Sequence, residues 1–281
     1  MGCLTAVYVI WSSTYLAMAI AVRELPPMWS ASARFLIAGA VMLAFARRRG
    51  AAWPTARQWL RVVPVGALLF VGGNGFVAIA EQTVPSSGVA VVCATMPLWT
   101  GVLTAVTGER QARSEWLALV CGFAGVVVLM GGPSLAGKPA HIAFAILSPA
   151  CWALGSYLAR RGGKAAPQDT FMSSATQMLT GGGALAVAGA LHGEHVPAHA
   201  SLGAYLAVVY LIVFGSLIAF TAYNWLMRNA RPVVATSYAY VNPVLAVVIG
   251  AAASEGFGVS TVVANVLIVG AVALALRKPR K

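Results

Sequence analysis

The sequence predicts an all-α integral membrane protein with ten transmembrane helices, built as two inverted five-helix repeats with both termini cytoplasmic. Three observations carry this expectation. The 281 residues are 59% hydrophobic and only 9% charged, whereas a soluble domain runs near half and a quarter, so no water-facing surface can be assembled from the remainder. The basic residues gather in short runs that alternate along the chain. The chain also repeats itself.

Apolar runs, bounded by charge, proline or glycine, give the spans in order. The first, about 4 to 22, ends at Arg23, Glu24 and the Pro26-Pro27 pair; the second, 29 to 46, ends at Arg47-Arg48-Arg49-Gly50. A third, 62 to 81, follows Arg57 and Arg61, and a fourth, 86 to 107, stops at Gly108-Glu109-Arg110. The fifth, 116 to 131, runs into Gly131-Gly132-Pro133, and the sixth, 141 to 159, into Arg160-Arg161. The seventh, 170 to 191, lies between Asp169 and His192; the eighth, 203 to 227, stops at Arg228. The ninth, 233 to 253, and the tenth, 260 to 276, close on Ser254-Glu255 and the basic tail. The N-terminus has no basic stretch before Leu4 and is read as the first span rather than a signal peptide.

Orientation follows from the charges. With both termini inside, the cytoplasmic loops hold Arg47, Arg48, Arg49, Arg57, Arg61, Arg110, Arg113, Arg160, Arg161, Lys164, Arg228 and Arg231, and the tail adds Arg277, Lys278, Arg280 and Lys281. Only Arg23 and Lys138 fall outside, and Arg34 falls within the second span. The net charge of +12 is therefore a topology signal, and no nucleic-acid partner is implied.

Pro97 and Pro243 stand 146 residues apart, as do Glu109 and Glu255, and Met96 to Glu109 aligns without gaps on Asn242 to Glu255. Trp11 and Trp152 are offset by 141 near the start of each half. The repeats are expected at 1–132 and 133–281. Five spans per half is an odd number, so the second half enters the membrane from the opposite side, the arrangement that supports alternating access.

The Trp11-Ser12-Ser13-Thr14-Tyr15 first helix, the early Arg34-Phe35 of the second, and the proline followed twelve residues later by glutamate in each half resemble the EamA-type transporters of the drug/metabolite transporter superfamily. That resemblance covers residues 4 to 276. It implies movement of small metabolites or amino acids across a bacterial inner membrane, mostly outward, with aromatic amino-acid exporters as the nearest analogues.

Polar groups within a bilayer are costly unless they face a cavity or a partner. Asn74 and Glu81 share one face of the third span with Ala78 between them, and the 146 offset brings Phe220, Asn224 and Met227 to the matching face of the eighth. Such an asparagine either lines a cavity or bonds a neighbouring helix. Pro97 and Pro243, mid-span, each free the carbonyl four residues earlier, for a ligand or for a hinge. Met96, Trp99 and Thr100 stand near the first proline; Ser237, Tyr238, Tyr240 and Asn242 precede the second. Trp53, Trp59, Trp116 and Trp225 lie at span ends and read as interfacial anchors. Trp11, Trp99 and Trp152 lie deeper and, with Tyr15, Tyr157, Tyr223, Tyr238 and Tyr240, suit a mostly apolar pocket with a few polar handles, or else lipid-facing and core positions. Arg34 is expected to pair with Glu24 or Glu81, or to position backbone at its helix end. The scarcity of basic residues in the spans disfavours phosphorylated substrates.

Other classes fit poorly. The four cysteines have neither CxxC nor Cys/His spacing and read as small packing residues. The seven acidic residues form no catalytic or metal motif, and the loop histidines His192, His195 and His199 lack the surroundings of a metal site, so no enzyme, metal or other cofactor is expected. A channel is disfavoured by the inverted repeat. The partners expected are a small-molecule substrate and the lipid bilayer, with the chain a monomer or weak homodimer. The first span carries no carboxylate and Glu81 sits near the end of its helix, so facilitated transport is expected ahead of a proton-coupled antiport.

Overall fold

A computed structural model of the chain describes residues 2–84, 89, 92–108, 112–129, 137–162, 167, 169–195, 197, 199–242, 245 and 259–276. Each predicted span contains helical backbone within those residues. The helices are α1 (Gly2–Val22), α2 (Pro27–Arg48), α3 (Ala56–Gly66, continued through Ala67–Gly75 and Phe76–Ala80), α4 (Met96–Val106) and α5 (Arg113–Leu129). In the second half come α6 (Pro139–Arg161), α7 (Thr170–Leu191), α8 (Leu202–Tyr210, continued through Leu211–Phe220 and Thr221–Asn229), the short α9 (Pro232–Ala235) and α10 (Val259–Leu276). Pro27–Arg48, Ala56–Ala80, Pro139–Arg161 and Leu202–Asn229 are long and apolar enough to cross a membrane. Large apolar side chains such as Ile37, Val120, Ile146, Val209 and Val269 stand exposed along these walls, a surface only lipid tolerates.

Local chemistry sets the ends. Proline occupies the first turn of α2, α6 and α9, where a missing N–H costs nothing. The hydroxyl of Ser201 accepts from the Ala204 N–H at the start of α8, and the Asp169 carboxylate from that of Met172 at the start of α7. α3 begins earlier than the hydropathy run, because Thr55 and Gln58 form a reciprocal capping box, so Arg57 and Arg61 belong to its first turns rather than to a loop. α2 and α7 end alike: Gly50 (φ 82°) and Gly193 (φ 72°) take the left-handed conformation, and the next N–H, of Ala51 or Glu194, reaches back five residues to Ala46 or Gly189.

The two halves meet through corresponding helices. α2 packs most extensively on α7, and α5 on α10. Along the first pair, Met28 lies against Gly189, Leu36 against Gly182, Gly39 against Leu179 and Phe45 against Phe171, so the helices run antiparallel. Exchanging the halves also turns the α3·α6 contact into α8·α1, and both contacts are present.

A further correspondence was invisible in the sequence. The middle of α3 (Ala67–Gly75) and the middle of α8 (Leu211–Phe220) are both π-helical. This wider turn is rare and concentrates at functional positions. In α3 it coincides with Gly72-Gly73-Asn74-Gly75, whose bare backbone takes close contact from α6: a Cβ on Gly72 would lie 2.7 Å from that of Cys151, and one on Gly73 would lie 2.5 Å from the ring of Trp152.

Candidate functional site

Where the two π-helical stretches face α1 and α6, aromatic rings close on one another. Trp11 meets Trp152 edge to face with 5.8 Å between centroids, Tyr238 edge to face at 4.6 Å, and Tyr223 at 5.2 Å. Trp152 adds Tyr223 at 5.9 Å, Phe220 at 6.4 Å and Phe70 at 6.5 Å. Such edge-to-face pairs suit the ring quadrupoles. The cluster draws on α1, α3, α6 and α8 and on Tyr238 after α9.

Its polar groups are few. The indole N–H of Trp11 donates to the Gly215 carbonyl at 3.2 Å, inside the π-helical stretch of α8. Tyr223 shares a hydrogen bond with Ser156 (2.7 Å), and Tyr8 one with Ser237 (2.6 Å). The indole nitrogen of Trp152 is buried beside the Tyr223 hydroxyl yet outside hydrogen-bond geometry, so it has no acceptor among the described residues. A buried donor without a partner is costly and therefore a natural handle for a ligand.

Several sequence expectations come together here and others do not. Trp11, Trp152, Tyr223 and Tyr238 form one cluster, and Met96 is buried in the same core. Asn242 is buried beside it, its carboxamide 3.1 Å from the Ser12 hydroxyl and, oriented to donate, 3.1 Å from the Tyr238 carbonyl. Asn74 and Ala78 line a common cavity between α1, α2, α3 and α8. Asn224 instead bonds Ser174 on α7 at 3.0 Å, one member of a polar seam with Ser173 and Arg228, because its face of α8 turns to α7. Trp99 is 42% exposed and lies outside the cluster. Tyr157 is buried beneath the Arg161 guanidinium, 5.1 Å away, and contacts none of the clustered rings. Tyr240 is also buried elsewhere, its hydroxyl donating to the Leu119 carbonyl at 2.9 Å. Glu81 caps the end of α3, beyond the cavity. The side chain of Tyr15, and Pro243, Glu109 and Glu255, lie outside the described residues.

Two expectations are corrected. Pro97 does not bend a continuous helix: turns at Ala94 and Thr95 interrupt the span, and Pro97 sits in the first turn of α4, where its absent N–H is not needed. Arg34 pairs with neither Glu24 nor Glu81. Its Nε donates to Ser216 at 2.8 Å, while Glu24 accepts from the backbone N–H and hydroxyl of Ser201, both at 2.6 Å. The exposed Glu24 carboxyl is held below the usual range first by the Ser201 hydroxyl and then by its backbone N–H.

Gly215 and Ser216, which anchor Trp11 and Arg34, went unnoticed in the sequence. The available signal was a small polar pair within the otherwise apolar Leu211–Phe220 run. Phe70 contacts the cluster from a stretch indistinguishable by composition from lipid-facing helix.

The chain matches the model of the EamA-like transporter family over residues 1–131 and again over 140–277. It is 42% identical over 250 residues to the inner membrane transporter YedA of Escherichia coli strain K12, covering 89% of this chain and 81% of that one. Protein PecM of Dickeya dadantii is 24% identical over 244 residues, covering 86% and 80%. A solved crystal structure, 24% identical, overlays with a TM-score of 0.78 across 98% of this chain and 95% of that one, a likeness in fold. With the family matched once in each half and nearly the full length shared with YedA, the chain belongs to the EamA-like transporter family and is a membrane transporter rather than an enzyme.

Proposed function

We propose that the protein is a multi-pass transporter of the bacterial inner membrane that moves small apolar or aromatic amino acids and related metabolites by alternating access. Two inverted five-helix repeats, 1–132 and 133–281, rock about the aromatic cluster, with both termini cytoplasmic. The observation that carries this reading is the cluster itself: Trp11 and Phe70 from the first half and Phe220 and Tyr223 from the second pack on Trp152, whose buried N–H no described residue satisfies. An apolar site with one or two polar handles recognises a ring or branched side chain. The antiparallel packing of α2 on α7 and the paired π-helical stretches support the inverted relationship. The localisation leans on YedA, named an inner membrane transporter. The interruption at Ala94–Thr95 before Pro97 is the hinge of the first half, and Pro243 its counterpart in the second.

Purified protein in liposomes, offered radiolabelled phenylalanine, tryptophan, leucine, purines and polyamines, tests the reading. Saturable flux of the aromatic and branched amino acids is expected. Saturable flux of polyamines alone, or flux that never saturates, would overturn it.

A further inference from the structure

Arg34 lies on α2 with 7% of its surface exposed, within a stretch long and apolar enough to cross a membrane. Such a cation normally has a carboxylate beside it, since an unpaired buried charge costs several kcal/mol. Here none is present among the described residues. Glu24 is engaged by Ser201, Glu194 by the backbone N–H groups of Met28 and Trp29, Glu115 by Arg231 and Asp169 by Met172. Glu81 makes no ion pair with Arg34.

What surrounds the guanidinium is only partly compensating. Nε donates to Ser216, the ring of Phe35 lies 4.5 Å from the guanidinium carbon, and the terminal nitrogens have no acceptor among the described residues. Gly215 permits the approach, because a Cβ there would stand 2.8 Å from Nη2. Arg34 lines a cavity of about 20 Å³, the space of about one water molecule, with Asn74, Ser30 and Ala78. Asn74, which also lines that cavity, donates its amide nitrogen to the Leu69 carbonyl (3.4 Å), which leaves its carboxamide oxygen without a donor among the described residues. The same two residues, Gly215 and Ser216, hold Arg34 on one side and the Trp11 indole on the other.

We propose that Arg34 is the carboxylate-binding residue of the transport site, taking the α-carboxylate of an amino acid whose side chain lies against the Trp11, Trp152, Tyr223 and Tyr238 rings. The proposal rests on the transport reading above and narrows it from apolar metabolites to carboxylate-bearing ones. Two terminal N–H donors in one plane match the two oxygens of a carboxylate, and the Asn74 oxygen suits the neighbouring ammonium. The cavity is too small for an amino acid in this conformation, so occupancy requires the helices around it to part.

The test compares ligands that differ only in charge. Thermal stabilisation of the purified wild type is measured with L-phenylalanine, L-phenylalaninamide and inorganic phosphate, and with phosphatidylglycerol added to the detergent. Uptake of the first two is followed in liposomes. Phenylalanine is expected to act at about tenfold or more lower concentration than its amide, the effect of one charge-assisted contact. Arg34→Gln should abolish that preference and Arg34→Lys retain part of it. Equal response to acid and amide in the wild type overturns the carboxylate site while leaving aromatic transport standing, and needs no variant to fold. A folded Arg34→Gln protein that keeps the preference overturns it too. Stabilisation by phosphate or phosphatidylglycerol but not by phenylalanine makes Arg34 a phosphate or headgroup site and likewise overturns it. A wild type that neither binds nor carries either phenylalanine derivative sinks both proposals.

Discussion

Trp11 and Trp152 occupy corresponding positions 141 residues apart in the two halves, and their rings touch edge to face at 5.8 Å. Two equivalent positions contact each other only near the axis that relates them, so under the inverted-repeat reading proposed above this pair marks that axis. Tyr223 and Tyr238 close around it from the second half alone, which makes the cluster lopsided although its centre is symmetric.

Trp152 should contribute both packing and recognition. Trp152→Ala is expected to cost about 3–5 kcal/mol of stability, the usual result of emptying a buried aromatic position. Trp152→Phe keeps most of the ring contacts and removes the unpartnered N–H, so it should fold normally and raise the KM for aromatic substrates about two- to tenfold. Wild-type uptake kinetics in the Phe variant would place the substrate elsewhere.

Gly73 of α3 should be intolerant of a side chain where Gly183 of α7 is not. A methyl group at Gly73 would meet the Trp152 ring at 2.5 Å, whereas one at Gly183 meets nothing within 4 Å. Gly73→Ala is expected to lower stability by about 1–3 kcal/mol through overpacking. Gly183→Ala should be neutral or stabilising by up to about 1 kcal/mol, as for a helical glycine with free space. Melting curves in detergent compare the two, and equal losses would contradict the packing argument.

Glu24 links the α1–α2 loop to the cap of α8 through Ser201. Because its folded-state pKa is lowered, the ionised carboxylate stabilises the protein above the ordinary glutamate range and this contribution disappears as pH falls through the lowered value. Wild type should therefore exceed Glu24→Gln in melting temperature at neutral pH, and the two curves should converge below about pH 4. A gap that stays constant down to pH 3 would refute the link.

Energy coupling is expected to be substrate-driven. Glu81 lies past Ala78 and does not line the cavity, so the path proposed above has no carboxylate among the described residues to move a proton. An imposed pH gradient alone should produce no accumulation in liposomes, and Glu81→Gln should leave exchange intact. Uphill accumulation driven by pH and lost in Glu81→Gln would assign proton antiport to that residue.

Membrane residence, the positions of the helical stretches and the duplication were legible in the sequence, because each depends on a pattern that burial in lipid imposes locally: apolar runs, basic boundaries, and residues recurring at a fixed offset. The deep aromatic residues were legible as a class, and Trp11, Trp152, Tyr223 and Tyr238 came together from that class, while Trp99 and Tyr157 did not. A tryptophan facing lipid and one facing its repeat mate have the same neighbours in sequence; only the packing of helices far apart in the chain separates them. The partners of polar groups were decided the same way. Asn74 and Asn224 were expected one turn apart on matching faces of α3 and α8, yet Asn224 is held by Ser174 and Asn74 lines a cavity, since the two helices present those positions to different neighbours. Arg34 looked from sequence like one half of an ion pair, and the tertiary structure instead set it against Ser216 and Phe35 with no carboxylate beside it among the described residues. The π-helical turns that bring Gly215 to Trp11 depend on how closely neighbouring helices press, a quantity no local pattern records.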